Sequence, residues 1–175
     1  MINKYPQADC VWIASDAEGN VGAFVTGGEG PIPANALLPP CIPIDKIEKA
    51  VLQTQAHCDA IMLRKYTRPD SFIALAQRGF FVFDWSDVHR VSADEIGAYE
   101  KVCVPSSPRP VSALSSEFQR HLASSCQFNI EFGTTAAIDP RTQVACVESN
   151  SEPPPRCVAA SSAPRVAEPD GRASA

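Results

Sequence analysis

The sequence predicts an α+β fold: a single domain with a mainly antiparallel or mixed sheet and about three helices packed against it. Three observations support this prediction. Apolar residues alternate with a period of two in neighbouring N-terminal runs. Apolar residues recur at helical spacing in three later segments, within residues 44–55, 67–79 and 112–124. Hydrophobic residues make up 45% of the 175 positions, which is enough for one core of ordinary domain size.

The N-terminal region predicts an antiparallel hairpin. Residues 11–14 and 21–26 are strand-like and flank Asp16-Ala17-Glu18-Gly19-Asn20, a turn of residues that tolerate positive φ. Gly22, inside the second strand, indicates a bulge or a close approach of another group.

A glycine-rich loop follows, with Gly27-Gly28-Glu29-Gly30. A phosphate cradle would need a helix beginning directly after the glycines, and Pro31 and Pro33 prevent that start. We therefore interpret the loop as a tight connection leaving an edge strand. Five prolines lie between Pro31 and Pro43, and they argue against a regular helix or a central strand in that connection.

The middle of the chain predicts helix, strand, helix and strand in turn. Residues 44–55 form the first helix and residues 60–65 a strand. The next helix begins near Pro69, with Thr67 as a cap, and stops at Gly79. Residues 80–84 form a strand so apolar that both faces are expected to be covered, and residues 60–84 as a whole suggest a parallel crossover.

The remaining elements are shorter. Residues 87–99 are a loop with one helical turn, residues 101–104 an edge strand, and residues 112–124 a helix. Phe128, Ile130 and Phe132 alternate with polar residues and predict a strand, and residues 144–147 predict a last one. The predicted domain spans residues 1–148. Residues 149–175 are rich in Pro, Ser and Ala and are expected to form a disordered tail.

Charge and cysteine content favour a cytoplasmic location and disfavour several classes of ligand. The net charge of −5, from 20 acidic and 15 basic residues, disfavours binding to nucleic acid and to anionic membranes. No apolar run is long enough to span a bilayer, and no signal peptide is expected. The seven cysteines are scattered without a C-x-x-C pair, so we expect reduced thiols in the cytoplasm.

The densest polar segment is D-W-S-D-V-H-R, from Asp84 to Arg90. Asp84, Asp87 and His89 have side chains that ligate metals, and Ser86 with Asp87 and His89 suggests a hydrolase. A nucleophile elbow such as G-x-S-x-G is absent. We favour the alternative of a polar strand exit over which Trp85 packs, and we expect no metal, no cofactor and no catalytic residue.

Two further clusters are interpreted as structural. His57 and Cys58 are adjacent, but neighbouring side chains on one element point in different directions, which argues against a thiol–imidazole pair. His89 and His121 remain possible partners for that thiol. Arg64, Lys65, Tyr66 and Arg68 combine cations with an aromatic ring, and we interpret them as a solvated corner between a strand and a helix rather than as a nucleic-acid surface.

Two long stretches carry a resemblance to a known group. They are D-A-E-G-N-V-G-A-F-V-T-G-G-E-G-P-I-P and R-P-D-S-F-I-A-L-A-Q-R-G-F-F-V-F-D-W-S-D-V-H-R, with G-A-Y-E further on. The chain resembles a family of small uncharacterised proteobacterial proteins over residues 11–147. The resemblance implies no catalytic residues. By analogy of size and acidic composition alone, such proteins are similar to immunity proteins that neutralise a secreted toxin.

The sequence therefore leads to two functional hypotheses. The preferred one is a non-enzymatic protein-binding domain, with immunity against a basic toxin or effector as its specific form. Acidic side chains near the hairpin and near Trp85 would attract that basic partner. The residues expected to contact it are Asp16, Glu18, Glu29, Asp84, Trp85, Asp87 and His89. The alternative is a small-ligand-binding or hydrolytic enzyme that uses the segment from Asp84 to His89.

Overall fold

The computed structural model of the chain describes residues 2–3, 9–37, 42–85 and 97–145. Within them are ten strands and five α-helices. The strands are β1 (Ile2–Asn3), β2 (Val11–Ser15), β3 (Val21–Val25), β4 (Ile32–Pro33), β5 (Ala60–Met62), β6 (Phe81–Trp85), β7 (Tyr99–Pro105), β8 (Cys126–Phe128), β9 (Ala137–Ile138) and β10 (Val144–Ala145). The helices are α1 (Ala34–Leu37), α2 (Ile44–Gln53), α3 (Asp70–Ala76), α4 (Ser116–Ser124) and α5 (Pro140–Gln143).

Eight of these strands form one mixed sheet. Its order is β10-β8-β2-β3-β6-β7-β5, and β9 pairs with β7 beside this path. The pairs β2–β8 and β3–β6 are parallel, and the other pairs in the sheet are antiparallel. Strands β1 and β4 form a separate two-stranded sheet. The predicted α+β fold with a mixed sheet is confirmed.

The centre of the sheet carries a stack of aromatic rings. In the confirmed N-terminal hairpin, Trp12 on β2 lies opposite Phe24 on β3, which in turn lies opposite Phe83 on β6. The ring centroids are 4.1 Å apart for Trp12 and Phe24, and 5.0 Å apart for Phe24 and Phe83. All three side chains are fully buried. Rings in register on three adjacent strands therefore fix the alignment of the sheet centre.

The three longest helices match the three that the sequence predicts. Ile44, Ile47 and Val51 form the buried stripe of α2, which packs on β2. Helix α3 begins after Pro69 without a side-chain cap, so the expected role of Thr67 is wrong. Gly79 has φ +88°, as expected for a residue that stops a helix. Phe118 and Leu122 are buried on α4, which begins four residues later than expected.

Several predicted strands exist, but their positions or lengths in the sheet differ from the prediction. Strands β3 and β7 were expected at edges, and both lie inside the sheet. Strands β5 and β6 both run antiparallel to β7, so they are parallel to each other as expected, but β7 lies between them. Alternation predicts a strand through Phe132, yet β8 ends at Phe128. Pairing partners decide strand position, and a single sequence does not contain them.

The proline-rich connection holds two short elements that the sequence analysis missed. Helix α1 is a single turn, and β4 contributes Pro33 to the small sheet rather than to the centre of the large one. The predicted loop at residues 87–99 lies outside the described residues as far as residue 96, and at its other end Tyr99 begins β7 instead. The predicted tail at residues 149–175 also lies outside the described residues. Among the described helices, none has the length and apolar character that crossing a membrane requires.

Candidate functional site at the acidic end of the sheet

Strand pairing gathers acidic residues at one end of the large sheet. Val11 at the start of β2 lies opposite Val25 at the end of β3, and Val25 lies opposite Asp84 near the end of β6. Just beyond this pairing, the Thr26 amide donates to the Cys10 carbonyl at 3.0 Å. Asp9, the loop after Thr26 and Asp84 are therefore at the same end. We call Asp9, Glu29, Glu48 and Asp84 the acidic end.

Thr26 holds the glycine-rich loop in one conformation. Its carbonyl accepts hydrogen bonds from the amides of Glu29 at 3.1 Å and Gly30 at 2.7 Å. Its hydroxyl oxygen accepts from the amides of Cys10 at 3.0 Å and Gly28 at 3.3 Å. Three loop amides are thereby used inside the protein, so they do not form a cradle for phosphate. The interpretation as a tight loop is confirmed, and Glu29 is exposed on it.

Tyr99 fixes the same loop from the side of β7. Its hydroxyl accepts from Trp12 Nε1 at 3.1 Å and donates to the Pro31 carbonyl at 3.1 Å. A Cβ atom on Gly30 would lie 2.5 Å from this hydroxyl, so only glycine fits there. Burial raises the pKa of Tyr99 well above its ordinary value, and the charges of Asp84 and Asp9 add to the rise. Both carboxylates therefore lie within electrostatic range of one hydroxyl group.

Asp84 lies in a partly buried polar cluster. It is opposite Glu100 on β7, and the Tyr66 hydroxyl donates to Asp84 Oδ2 at 3.5 Å. Arg64 binds Glu100 with two hydrogen bonds, of 2.8 and 2.6 Å, so the guanidinium offsets the charge of the second carboxylate.

Glu48 brings helix α2 into the acidic end. Its side chain is half-buried, and burial raises its pKa. The charge of Asp9 raises that pKa further. Asp9 is exposed, and its charge disfavours ionisation of Glu48 because the two carboxylates are close. Carboxylates from α2 and from the residues just before β2 therefore share one region.

Two residues expected on the partner-binding surface are buried. Asp16 is fully buried, so the prediction that it is a solvated acid is wrong. Asp16 Oδ1 accepts from the amides of Glu18 at 3.0 Å and Asn20 at 2.7 Å, and Asp16 Oδ2 accepts from the Phe132 amide at 2.9 Å. Trp85 is only 7% exposed and packs edge-on against Tyr99, as the strand-exit interpretation predicts.

The other predicted contact residues are separated or lie beyond the described chain. Glu18 is exposed, but it lies in the hairpin turn at the opposite end of β3 from Glu29. A five-residue strand separates these two ends by roughly 16 Å. Asp87 and His89 fall outside the described residues, as does Ser86. Of the seven predicted residues, Glu29 and Asp84 are thus brought together.

A second polar region surrounds His57 and Cys58, a pair that the sequence indicates to be structural. Ala56, His57, Cys58, Asp59, Gln77, Ser106 and Ser107 line an open depression of about 490 Å³. The Cys58 thiol donates to the carbonyls of Ala76 at 3.4 Å and Gln77 at 3.6 Å, and both contacts are to backbone oxygens. These contacts do not supply the base that activates a cysteine nucleophile.

The remaining described cysteines are also free thiols, and they are buried. Cys10, Cys103 and Cys126 are shielded from solvent, and burial raises the pKa of each, to about 11 for Cys103 and about 12 for Cys126. Over residues 2–3, 9–37, 42–85 and 97–145, no group of three or more His, Cys, Asp or Glu side chains is placed to hold a metal ion.

Asp9 and Glu48 are the acidic-end residues that the sequence analysis missed. Asp9 and Glu48 are far apart in the sequence, and only the pairing of β2 with β3 and the packing of α2 on β2 bring them together. Comparison of the chain with protein-family models, with curated proteins and with solved structures gave no significant match.

Proposed function

We propose that this chain is a non-enzymatic protein-binding domain whose acidic end attracts a basic protein partner. The observation that carries the proposal is the gathering of Asp9, Glu29, Glu48 and Asp84 from three strand ends and one helix. Neutralisation of a basic toxin or effector in the cytoplasm is the specific form that we propose, by analogy with small acidic immunity proteins.

Rigidity supports this proposal. Glu29 lies on a loop whose amides are bound by Thr26 and whose Pro31 carbonyl is bound by Tyr99. A surface already held in one conformation loses little conformational entropy on binding, so more of the interaction energy contributes to affinity. Glu29 is therefore presented on a loop that is already fixed before a partner binds.

Charge supports it as well. Acidic residues concentrated at one end attract a basic partner during diffusion and raise the association rate more than the affinity. Because salt screens this attraction within about 8 Å at physiological ionic strength, the effect should weaken as salt is added. The salt dependence of the association rate is therefore the signature of this surface.

The test uses two variants with the same change in net charge. Glu29→Lys alters the acidic end, and Glu18→Lys alters the opposite end of the hairpin. Each immobilised chain is used to capture proteins, and we expect a basic protein that binds the wild type and Glu18→Lys but not Glu29→Lys. With that protein purified, Glu29→Lys should lower the association rate about tenfold at low salt. The difference should shrink at high salt.

The conservative change Asp84→Asn is a second test of whether the acidic end attracts the partner. It removes the charge and keeps an oxygen that can accept from Tyr66. A lower association rate with an unchanged thermal transition is expected. Equal losses for Glu18→Lys and Glu29→Lys would mean that only total charge matters, and an unchanged rate for Glu29→Lys would refute the proposed surface.

A further inference from the structure

Within the residues that the structure describes, strand β5 leaves one edge of the large sheet open. It is the last strand in the order, and among the described strands it pairs with β7 alone. An open edge exposes backbone donors and acceptors that can pair with another strand. Which residues offer those groups follows from the pairing on the other side.

The odd-numbered residues of this segment use their backbone groups toward β7. The Leu63 amide donates to the Val102 carbonyl at 2.9 Å, and the Ser106 amide donates to the Asp59 carbonyl at 2.8 Å. Backbone groups alternate in direction along a strand, so the amides and carbonyls of Ala60 and Met62 point to the open edge. A strand added here must pair with these even-numbered residues.

The side chains on this edge are unusual for the molecule. Ile61 is 52% exposed and Leu63 is 48% exposed, and within the described residues they are the large hydrophobic side chains that solvent reaches most. Asp59 and Lys65 are exposed on either side of them. In the described part of the chain, neither charge takes part in an ion pair. Along the sequence, two exposed apolar side chains therefore lie between an exposed carboxylate and an exposed ammonium group.

We propose that β5 pairs antiparallel with β5 of a second copy of this chain, with Met62 opposite Met62 of the partner subunit. This register places Ile61 opposite Leu63 of the partner subunit, and Asp59 opposite Lys65 of the partner subunit. Two-fold symmetry repeats both contacts, so one apolar cluster is flanked by two ion pairs. The outward backbone groups of Met62 then bond to their own equivalents.

Other registers satisfy fewer of these groups. A shift of one residue places Met62 opposite an odd-numbered residue of the partner subunit, whose backbone groups point toward its own β7. The amide and carbonyl of Met62 then have no partner, and the hydrogen-bond pattern between the strands is broken. A shift that puts Ile61 opposite its own equivalent leaves Asp59 against Leu63 of the partner subunit. A purely acidic or purely basic partner strand would leave one of the two charges unmatched. The segment is complementary to itself, which favours a second copy as the occupant.

The experiment measures dimer formation by sedimentation velocity over a concentration range from about 1 μM to about 1 mM. We expect a reversible dimer for the wild type. Asp59→Lys and Lys65→Asp each turn both ion pairs into like-charge contacts and should weaken the dimer at least about tenfold. Glu18→Lys changes the net charge as Asp59→Lys does and should leave the dimer unchanged.

Mixing the two single variants tests the register directly. An Asp59→Lys chain and a Lys65→Asp chain together restore both attractive contacts, so the mixture should form a heterodimer of about wild-type affinity. Circular dichroism confirms that each variant is folded. A wild type that stays monomeric throughout the range, single variants that dimerise normally, or a mixture that stays monomeric would each overturn the proposal. Capture of an unrelated strand on this edge by a monomeric wild type would overturn it too.

Discussion

At the scale of single residues, Asp16 joins two distant parts of the chain. Its carboxylate binds two amides of its own hairpin turn and the Phe132 amide, 116 positions further along. The sequence indicates a turn at Asp16, because aspartate is common in turns. The contact with Phe132 could not be predicted, since nothing local distinguishes a buried turn carboxylate from a solvated one.

Replacement of Asp16 should therefore be costly. Asp16→Ala leaves the Phe132 amide buried without an acceptor and removes the bonds that close the turn, so we expect a loss of about 3 kcal/mol in the free energy of unfolding. Urea denaturation measures it. Glu18→Ala, in the same turn but exposed, is the matched control and should change stability by less than about 0.5 kcal/mol. Similar losses for the two variants would contradict the structural role of Asp16.

At the scale of elements, long periodic segments were predictable and short ones were not. The hairpin of β2 and β3 and the helices α2, α3 and α4 follow from periodicity and turn residues. Of the four two-residue strands, β10 lies in a segment whose sequence predicts a strand, whereas β1, β4 and β9 exist only through their partners and have no pattern of their own. The acidic end was predicted in part, with Glu29 and Asp84, because the residues that complete it come from other elements.

The close contact between Gly22 on β3 and the ring of Phe132 predicts a cost for any larger residue at position 22. A Cβ atom on Gly22 would lie 2.7 Å from Phe132 Cε2, so Gly22→Ala forces the ring to move and should cost about 2 kcal/mol. A smaller residue at position 132 removes the clash, so Gly22→Ala should cost less in a Phe132→Leu background. Double-mutant thermal denaturation measures this coupling.

Gly133→Ala is the control for that experiment. Its added Cβ would lie 4.0 Å from Phe81 Cζ, which is an ordinary contact distance. We expect little change in the thermal transition for Gly133→Ala. If Gly22→Ala cost the same in both backgrounds, the ring contact would not be the reason for glycine in β3.

At the scale of the whole molecule, stability should depend on pH through His121 on α4. This side chain is 1% exposed, and its two ring nitrogens have no hydrogen-bond partner within the described chain. Burial lowers the pKa of His121, and the charge of Glu117 offsets part of that effect. The folded protein thus holds the imidazole in its neutral form more strongly than the unfolded chain does.

The direction of the pH effect follows from that difference. As the pH falls below about 6.5, the unfolded chain takes up the proton first, so the folded state loses stability at up to about 1.4 kcal/mol per pH unit. The loss stops once the pH falls below the lowered pKa of the folded state. His121→Leu should remove this component and leave stability equal or higher at neutral pH, because two unsatisfied nitrogens are lost.

Urea denaturation at a series of pH values from about 7.5 to about 5 measures the effect. The exposed His57 provides the control, and His57→Gln should keep the wild-type dependence. The interpretation fails if His121→Leu follows the same pH curve as the wild type.

The parallel pairing of β2 with β8 has a consequence for synthesis on the ribosome. Ala14 and Ser15 lie beside Cys126 and Gln127, so one side of the N-terminal hairpin stays uncovered until the chain has grown past residue 128. At a translation rate of about 5–20 residues per second, the ribosome needs at least several seconds to pass from the hairpin to β8. Nascent chains stalled before that point should therefore recruit chaperones more strongly than chains stalled after it.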